Sequence, residues 1–299
     1  MPKTGTTSLQ ELCFARHPEV RYFGQTNIWN DTEAKTILRG LLLDGDESCR
    51  VDRIHDILSH ALLDRAVVAI SDEALTFGEF MVRASLWPVV TDHRVVAKRA
   101  KCLLGDAEIL IVLRNQADFL ESWQRQGLKT GKYTQTDYGL WVTHDLGEAA
   151  AARMFALLDY GALYEAWADA FGPDRIHVRP YERYQSCFEE LAADFSGVLG
   201  IDSDMARTLT SGEARNITGA HYSGLPPRLQ RFVRHAAVRA TLKLLPGNTM
   251  GWFRQFMQRE RSISSIDDRT KRSIRSDYAK SNRALFQHLG IDSNGLGYD

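Results

Sequence analysis

Pro2-Lys3-Thr4-Gly5-Thr6-Thr7-Ser8 opens the chain and runs straight into Leu9-Gln10-Glu11-Leu12-Cys13. A helix start leaves backbone N–H groups unpaired and carries partial positive charge, so a loop of this kind suits an anion. Gly5 lets the backbone come close to that anion. Thr6, Thr7 and Ser8 add hydroxyl donors, and Lys3 adds a cation that can reach a bridging oxygen. An ATP-type phosphate loop places its lysine after the glycine, in G-K-[ST], with the hydroxyl on Mg²⁺. Here the lysine comes first, so the loop suits phosphate or sulfate without that metal arrangement.

Outward from the loop, short apolar runs alternate with amphipathic ones. The pattern predicts a helix over Thr7–Arg16, with Leu9, Leu12 and Cys13 on one face, and strands at Val20–Phe23, Ala66–Ser71, Ile109–Leu113 and Arg175–Val178. Branched apolar runs without alternation read as strands buried on both faces. Helices are expected at Asp56–Leu63, Gln116–Gln126, Ala149–Phe171 and Tyr184–Leu199. Strands alternating with helices imply an α/β fold: three layers, a parallel central sheet flanked by helices. Ligands of such sheets bind where strands end at their carboxyl side. Residues 1–299 read as one domain, with an α/β core over 1–223 and a basic helical part over 224–299. From Pro226 to Arg283 there are 14 Lys and Arg against four acidic residues, a net +10 in a chain of net −1.

That overall balance excludes a globally basic nucleic-acid binder. No apolar run reaches the roughly 18 residues of a membrane span, and the polar opening lacks a signal-peptide core. Cys13, Cys49, Cys102 and Cys187 are far apart and form no C-x-x-C, which reads as reduced, mostly buried thiols with no metal site. A cytoplasmic location is expected, with the membrane periphery as its variant. Arg228, Arg231, Arg234 and Arg239 amid Leu229, Phe232, Val233, Val238 and Leu242 form a basic amphipathic helix. It reads as a solvated packed helix, a membrane-surface contact, or an attractor of anionic ligands.

The chain resembles the PAPS-dependent sulfotransferases (PAPS is 3′-phosphoadenosine 5′-phosphosulfate), in which P-K-[ST]-G-T-[ST] binds the 5′-phosphosulfate. The resemblance carries Lys3, Thr4, Gly5, Thr6, Thr7 and Ser8 into that role. It also matches a strand ending in Arg114, with Ser122 eight residues on; both are implied to bind the 3′-phosphate. Gln116, Trp123, Gln126-Gly127-Leu128-Lys129-Thr130-Gly131, Pro180-Tyr181-Glu182, Leu199-Gly200-Ile201-Asp202 and Ser281-Asn282-Arg283 resemble the bacterial carbohydrate-modifying branch. The implied reaction is metal-independent sulfuryl transfer from PAPS to a hydroxyl or amine of a carbohydrate or glycolipid, with PAP released. The family places a buried strand before P-K-[ST]-G-T. Here Met1 directly precedes Pro2, which reads as a start assigned too late.

Some relatives carry a Lys-Glu pair after the second strand, where this chain has Gly24-Gln25. Glu73, just past the strand Ala66–Ile70, is therefore the expected general base, with Asp72 and His55 behind it. Tyr133, Tyr138 and Trp141, in the polar stretch Gly127–Trp141, read either as a sugar-stacking loop or as packing. Two other functions stay open: a phosphate-loop nucleotide kinase or NTPase, and an inactive sulfotransferase-like binding protein.

Overall fold

The computed structural model describes residues 9–24, 31–42, 48–71, 75–76, 92–130, 132–185, 187–211 and 266–299. The chain divides into two compact units. The first comprises Met1–Asn115, Ala156–Asn216 and Tyr278–Asp299; the second comprises Gln116–Phe155 and Ile217–Asp277. The boundary expected near residue 224 lies outside the described residues.

The first unit begins with a short wide helix, Leu9–Phe14, in which Ala15 N–H reaches back to the Gln10 carbonyl. It buries Leu9, Leu12 and Cys13, the face expected from their spacing. Strand β1 (Val20–Gly24) follows, then α1 (Thr32–Leu42) and α2 (Ser48–Asp64), then β2 (Val67–Ser71). The two helices form the crossover that lets β2 run parallel to β1, with Val20 opposite Val67 and Gly24 opposite Ser71. Helix α3 (His93–Leu104) starts on Asp92, whose side chain accepts from Arg94 N–H.

Strand β3 (Ile109–Leu113) has the bounds its apolar run predicts. It pairs in parallel with β4 (Ile176–Pro180), Ile109 opposite Ile176 and Leu113 opposite Pro180. The expected parallel α/β fold is observed; among the described residues the strands form two two-stranded parallel sheets, β1 with β2 and β3 with β4. One apolar core joins them. Leu9, Cys13 and Phe14 pack there with Val20 and Tyr22 of β1, Ala69 of β2 and Val112 of β3. Leu191, Ala192 and Phe195 of α7 (Phe188–Leu199) and Ala206 of α8 (Ser203–Thr210) close it.

At the amino ends of β3 and β4 lies a cluster of charges. Glu108 takes Arg175 at 3.1 Å and His177 at 2.8 Å, and Asp106 takes Lys101 at 2.7 Å. All these side chains are partly exposed, so each pair contributes little alone.

Two expected helices are shorter than their apolar pattern suggested. Ala149–Phe171 breaks into α5 (Glu148–Ala156) and α6 (Tyr160–Phe171). Asp159 causes the break: its carboxylate accepts from Ala162 N–H and from Ser281 Oγ at 2.6 Å, so it caps a new helix. Tyr184–Leu199 starts only at Phe188, because Pro180 leads into a tight turn of helix over Tyr181–Tyr184.

In the second unit, α4 (Gln116–Thr130) carries Phe119 and Trp123 into an aromatic nest with Tyr133 and Trp141. Trp123 Nε1 donates to Tyr133 Oη at 2.9 Å. Asp118 and Glu121 of α4 face Lys271 of α9 (Asp268–His288), the closer contact being Glu121 at 2.9 Å. Gly127 permits the nest: a Cβ there would sit 1.8 Å from the Tyr133 ring. Both Lys132 and Tyr133 N–H also bond its carbonyl. Cys13, Cys102 and Cys187 are free; Cys13 is buried, Cys187 half-buried and Cys102 exposed, so burial is less general than expected. Burial pushes the Cys13 thiol up to about 11.

Gly127→Ala is expected to expel the Tyr133 ring and cost about 1–3 kcal/mol of stability, as overpacking does. Urea unfolding of the variant beside the wild type measures it; an unchanged midpoint would contradict this account of the nest.

Candidate functional site

Parallel strands deliver their following residues to one edge, and polar groups gather there in the first unit. After β3 come Arg114 and Asn115; after β4 come Tyr181 and Glu182. The register sets Leu113 beside Pro180, so the two exits are neighbours. The guanidinium of Arg114 lies over the Tyr181 ring, 5.3 Å from its centroid. Glu182 Oε1 accepts from Asn115 N–H at 2.7 Å, and its Oε2 accepts from Tyr298 Oη at 2.7 Å. Tyr160 Oη donates to the Arg114 carbonyl. Asn115, Tyr160 and Tyr298 are buried.

Electrostatics follow from that burial. Desolvation holds the Glu182 carboxyl above the usual glutamate range, opposed by its bonds to Asn115 and Tyr298 and by the charge of Arg114. Tyr160 and Tyr298 are both pushed well up, first by burial and then by the negative charge of Glu182. Both phenols therefore stay neutral donors.

A second polar group sits where β1 and β2 end. Gln10 is 1% exposed; its Nε2 donates to Ser71 Oγ at 2.8 Å, and Tyr22 Oη donates to the Ser71 carbonyl at 3.3 Å. Gln10 Oε1 is buried with no hydrogen-bond partner among the described residues. Gly24 admits this packing, since a Cβ there would lie 2.1 Å from Tyr22 Oη and 2.3 Å from the Ser71 carbonyl.

The residues expected from the sequence are distributed as follows. Arg114 stands at the carboxyl end of β3, as predicted, half-buried. Ser122 is half-buried on α4 and belongs to the second unit, while Arg114 belongs to the first; their pairing rests on the eight-residue spacing. Lys3, Thr4, Gly5, Thr6, Thr7, Ser8, Asp72 and Glu73 lie outside the described residues, as does the basic helix over 228–242. His55 is exposed on α2. Tyr133 is 2% and Trp141 0% exposed, so both are packing residues and not a sugar platform; the Tyr138 ring lies tilted against Trp141, centroids 5.6 Å apart.

Sequence reasoning missed Asn115, Tyr160 and Tyr298 past β3 and β4, and the pairing of Gln10 with Ser71 at the end of β2. Glu182 alone had a signal, in Pro180-Tyr181-Glu182. Among the described residues no cluster of His, Cys, Asp and Glu is assembled that could hold a metal ion, and no helix is long and apolar enough to cross a membrane.

No protein-family model matches the chain, and no curated protein matches it. Among solved structures it is similar to a sulfotransferase from Alicyclobacillus acidocaldarius, with a TM-score of 0.56 at 14% identity. The likeness covers 99% of this chain and 95% of that one. The chain therefore has a sulfotransferase fold.

The raised Glu182 carboxyl gives a pH signature. Its folded state favours the proton, so the unfolded chain releases that proton first as pH rises. Between the usual glutamate range and the raised value the folded state binds more protons, and stability falls with pH. Glu182→Gln carries no such proton. The stability of wild type relative to Glu182→Gln should thus fall as pH climbs above about 4.3, read by urea unfolding of both. A difference independent of pH would refute it.

Proposed function

We propose that this chain transfers a sulfuryl group from PAPS to a hydroxyl or amine of a carbohydrate or glycolipid. The observation that carries the reading is Arg114 at the carboxyl end of a buried parallel strand, in a sulfotransferase fold. A planar guanidinium can hold two phosphate oxygens at once, which suits the 3′-phosphate that distinguishes PAPS from other adenosine nucleotides. Ser122 adds a hydroxyl from α4. The phosphate-loop sequence Lys3-Thr4-Gly5-Thr6-Thr7-Ser8 supports the other half of the site.

In the reaction the acceptor oxygen or nitrogen attacks sulfur in line, while the bond from sulfur to the bridging oxygen of PAPS breaks. The loop amides with Thr6 stabilise the non-attacking oxygens, and Lys3 neutralises charge on the departing PAP. Glu73 takes the acceptor's proton. Catalysis is then mainly positioning and electrostatics, which a dedicated metal site need not supply. The basic stretch Pro226–Arg283 favours anionic ligands and contact with an anionic membrane surface.

The test is a thermal-shift screen with PAP, ADP and ATP, each with and without Mg²⁺, followed by a transfer assay with labelled PAPS. Stabilisation by PAP without metal is expected; stabilisation by ATP only with Mg²⁺ would favour a kinase. Lys3→Ala is expected to weaken both PAP binding and turnover. Glu73→Gln is expected to keep PAP binding and lose about 10²-fold or more in turnover. Unchanged turnover in that variant would remove Glu73 as the base.

A further inference from the structure

Helix α9 divides its residues between two faces. Ile274, Asn282, Leu285 and Phe286 are buried and lie on one side of it. Beside them, Lys271 pairs with Glu121 of α4 at 2.9 Å, and Arg275 reaches Asp118 at 4.0 Å. Arg269, Arg272, Lys280 and Arg283 lie on the opposite side and are exposed. Their steps of three, eight and three residues, with exposed Ser276 midway along the longest, keep them in a single stripe. Positions 269 to 283 span about 21 Å along the helix. The turn of this one unbroken helix sets the geometry of the stripe, and no other element is needed to define it.

Unlike Lys271 and Arg275, none of these four side chains makes an ion pair or hydrogen bond among the described residues. Such a row costs the free protein stability. Like charges three residues apart on a helix repel one another. Arg269 also stands in the first turn, where the helix dipole disfavours a cation. A bound polyanion relieves both penalties.

We propose that this stripe binds a linear anionic polysaccharide, one that carries sulfate or carboxylate groups at intervals along an extended chain. Exposed Asp268 and Asp277 border the stripe on opposite sides, so its positive charge forms a line and not a field. A chain can follow a line, whereas a plane of anionic headgroups meets the two carboxylates as well. No large apolar side chain of the exposed face can enter a bilayer, because Leu285 and Phe286 are turned inward. The stripe carries no aromatic ring on which the bases of a single-stranded nucleic acid could stack. Ser276 and Gln287, exposed in the same row, offer a hydroxyl and an amide to sugar hydroxyls. This surface goes beyond the PAPS reading: it holds a polyanion whatever the sulfuryl donor is.

The experiment is titration of the full chain with dextran sulfate, uncharged dextran, phosphatidylserine vesicles and a single-stranded oligonucleotide, each at several salt concentrations. Dextran sulfate should bind, more weakly as salt rises, and uncharged dextran should not. A variant combining Arg269→Gln, Arg272→Gln, Lys280→Gln and Arg283→Gln should bind dextran sulfate about tenfold or more less tightly, since four exposed charge contacts are lost together. Its salt dependence should be shallower, because fewer counterions are exchanged. Its melting temperature should not fall, since the repulsion within the row is gone. Two double variants remove equal charge: Arg272→Gln with Lys280→Gln, and Arg94→Gln with Lys98→Gln on the exposed side of α3. Only the first should weaken binding.

Equal losses in the two double variants would overturn the inference, because net charge and not the stripe would then govern binding. So would a wild type that ignores dextran sulfate, or a folded fourfold variant that binds it as before. Tighter binding of the vesicles or the oligonucleotide than of dextran sulfate would overturn the choice of partner. None of these results bears on PAP binding, so the PAPS reading stands or falls by its own test.

Discussion

Parallel pairing is the constraint on which the first unit depends. Two strands can run the same way only if the chain between them crosses over, here through α1 and α2 or through the longer stretch from α4 to α6. The crossover returns the chain to the same end of the sheet. Gly24 therefore stands by Ser71, and Leu113 by Pro180. Within each pair the residues that follow the two strands are delivered to the same end, whatever their distance along the sequence. Arg114 and Glu182 meet past β3 and β4 because of topology, and Gln10 meets Ser71 at the end of β2 because the first helix packs on the core that both pairs share.

Burial then decides what those residues can do. Asn115 and Glu182 are enclosed by Tyr160 and Tyr298, and polar groups in such surroundings must be satisfied internally. The phenols stay protonated because burial and a neighbouring carboxylate both oppose their ionisation. They serve as permanent donors, a property that water-exposed hydroxyls would not provide so reliably. A network satisfied in this way rigidifies the backbone it touches.

How much of this could be read from the sequence depends on the range of the interaction. Ile109–Leu113 was legible to the residue, because a branched apolar run with no alternation has few other uses. The buried face of Leu9, Leu12 and Cys13 was legible from spacing alone. The break at Asp159 was not, since its partner Ser281 lies 122 positions away. Helix α3 went unread although Val96, Ala97, Ala100 and Leu103 bury one face, because that stripe is half alanine and set among basic residues. Tyr133 and Trp141 looked like loop aromatics because their burial depends on Gly127 and Trp123 meeting them in space. Of the site, Arg114 stood out by its place after a strand. Tyr298 did not, since a tyrosine 116 positions from its carboxylate partner has no local signature.

The amino ends of β3 and β4 carry the opposite arrangement, with Glu108, Arg175, His177, Asp106 and Lys101 paired in partly exposed positions. This divides labour between the two margins of the sheet. Drift at the charged margin meets a forgiving surface, where one exchanged partner shifts cohesion slightly and leaves ligand preference alone. Drift at the enclosed margin meets buried groups that are satisfied by one another, so a single exchange disturbs the hydrogen bonds around the residues that follow β3 and β4. New specificities in descendants of this chain would therefore be sought at the enclosed margin, and tolerance of sequence divergence at the charged one.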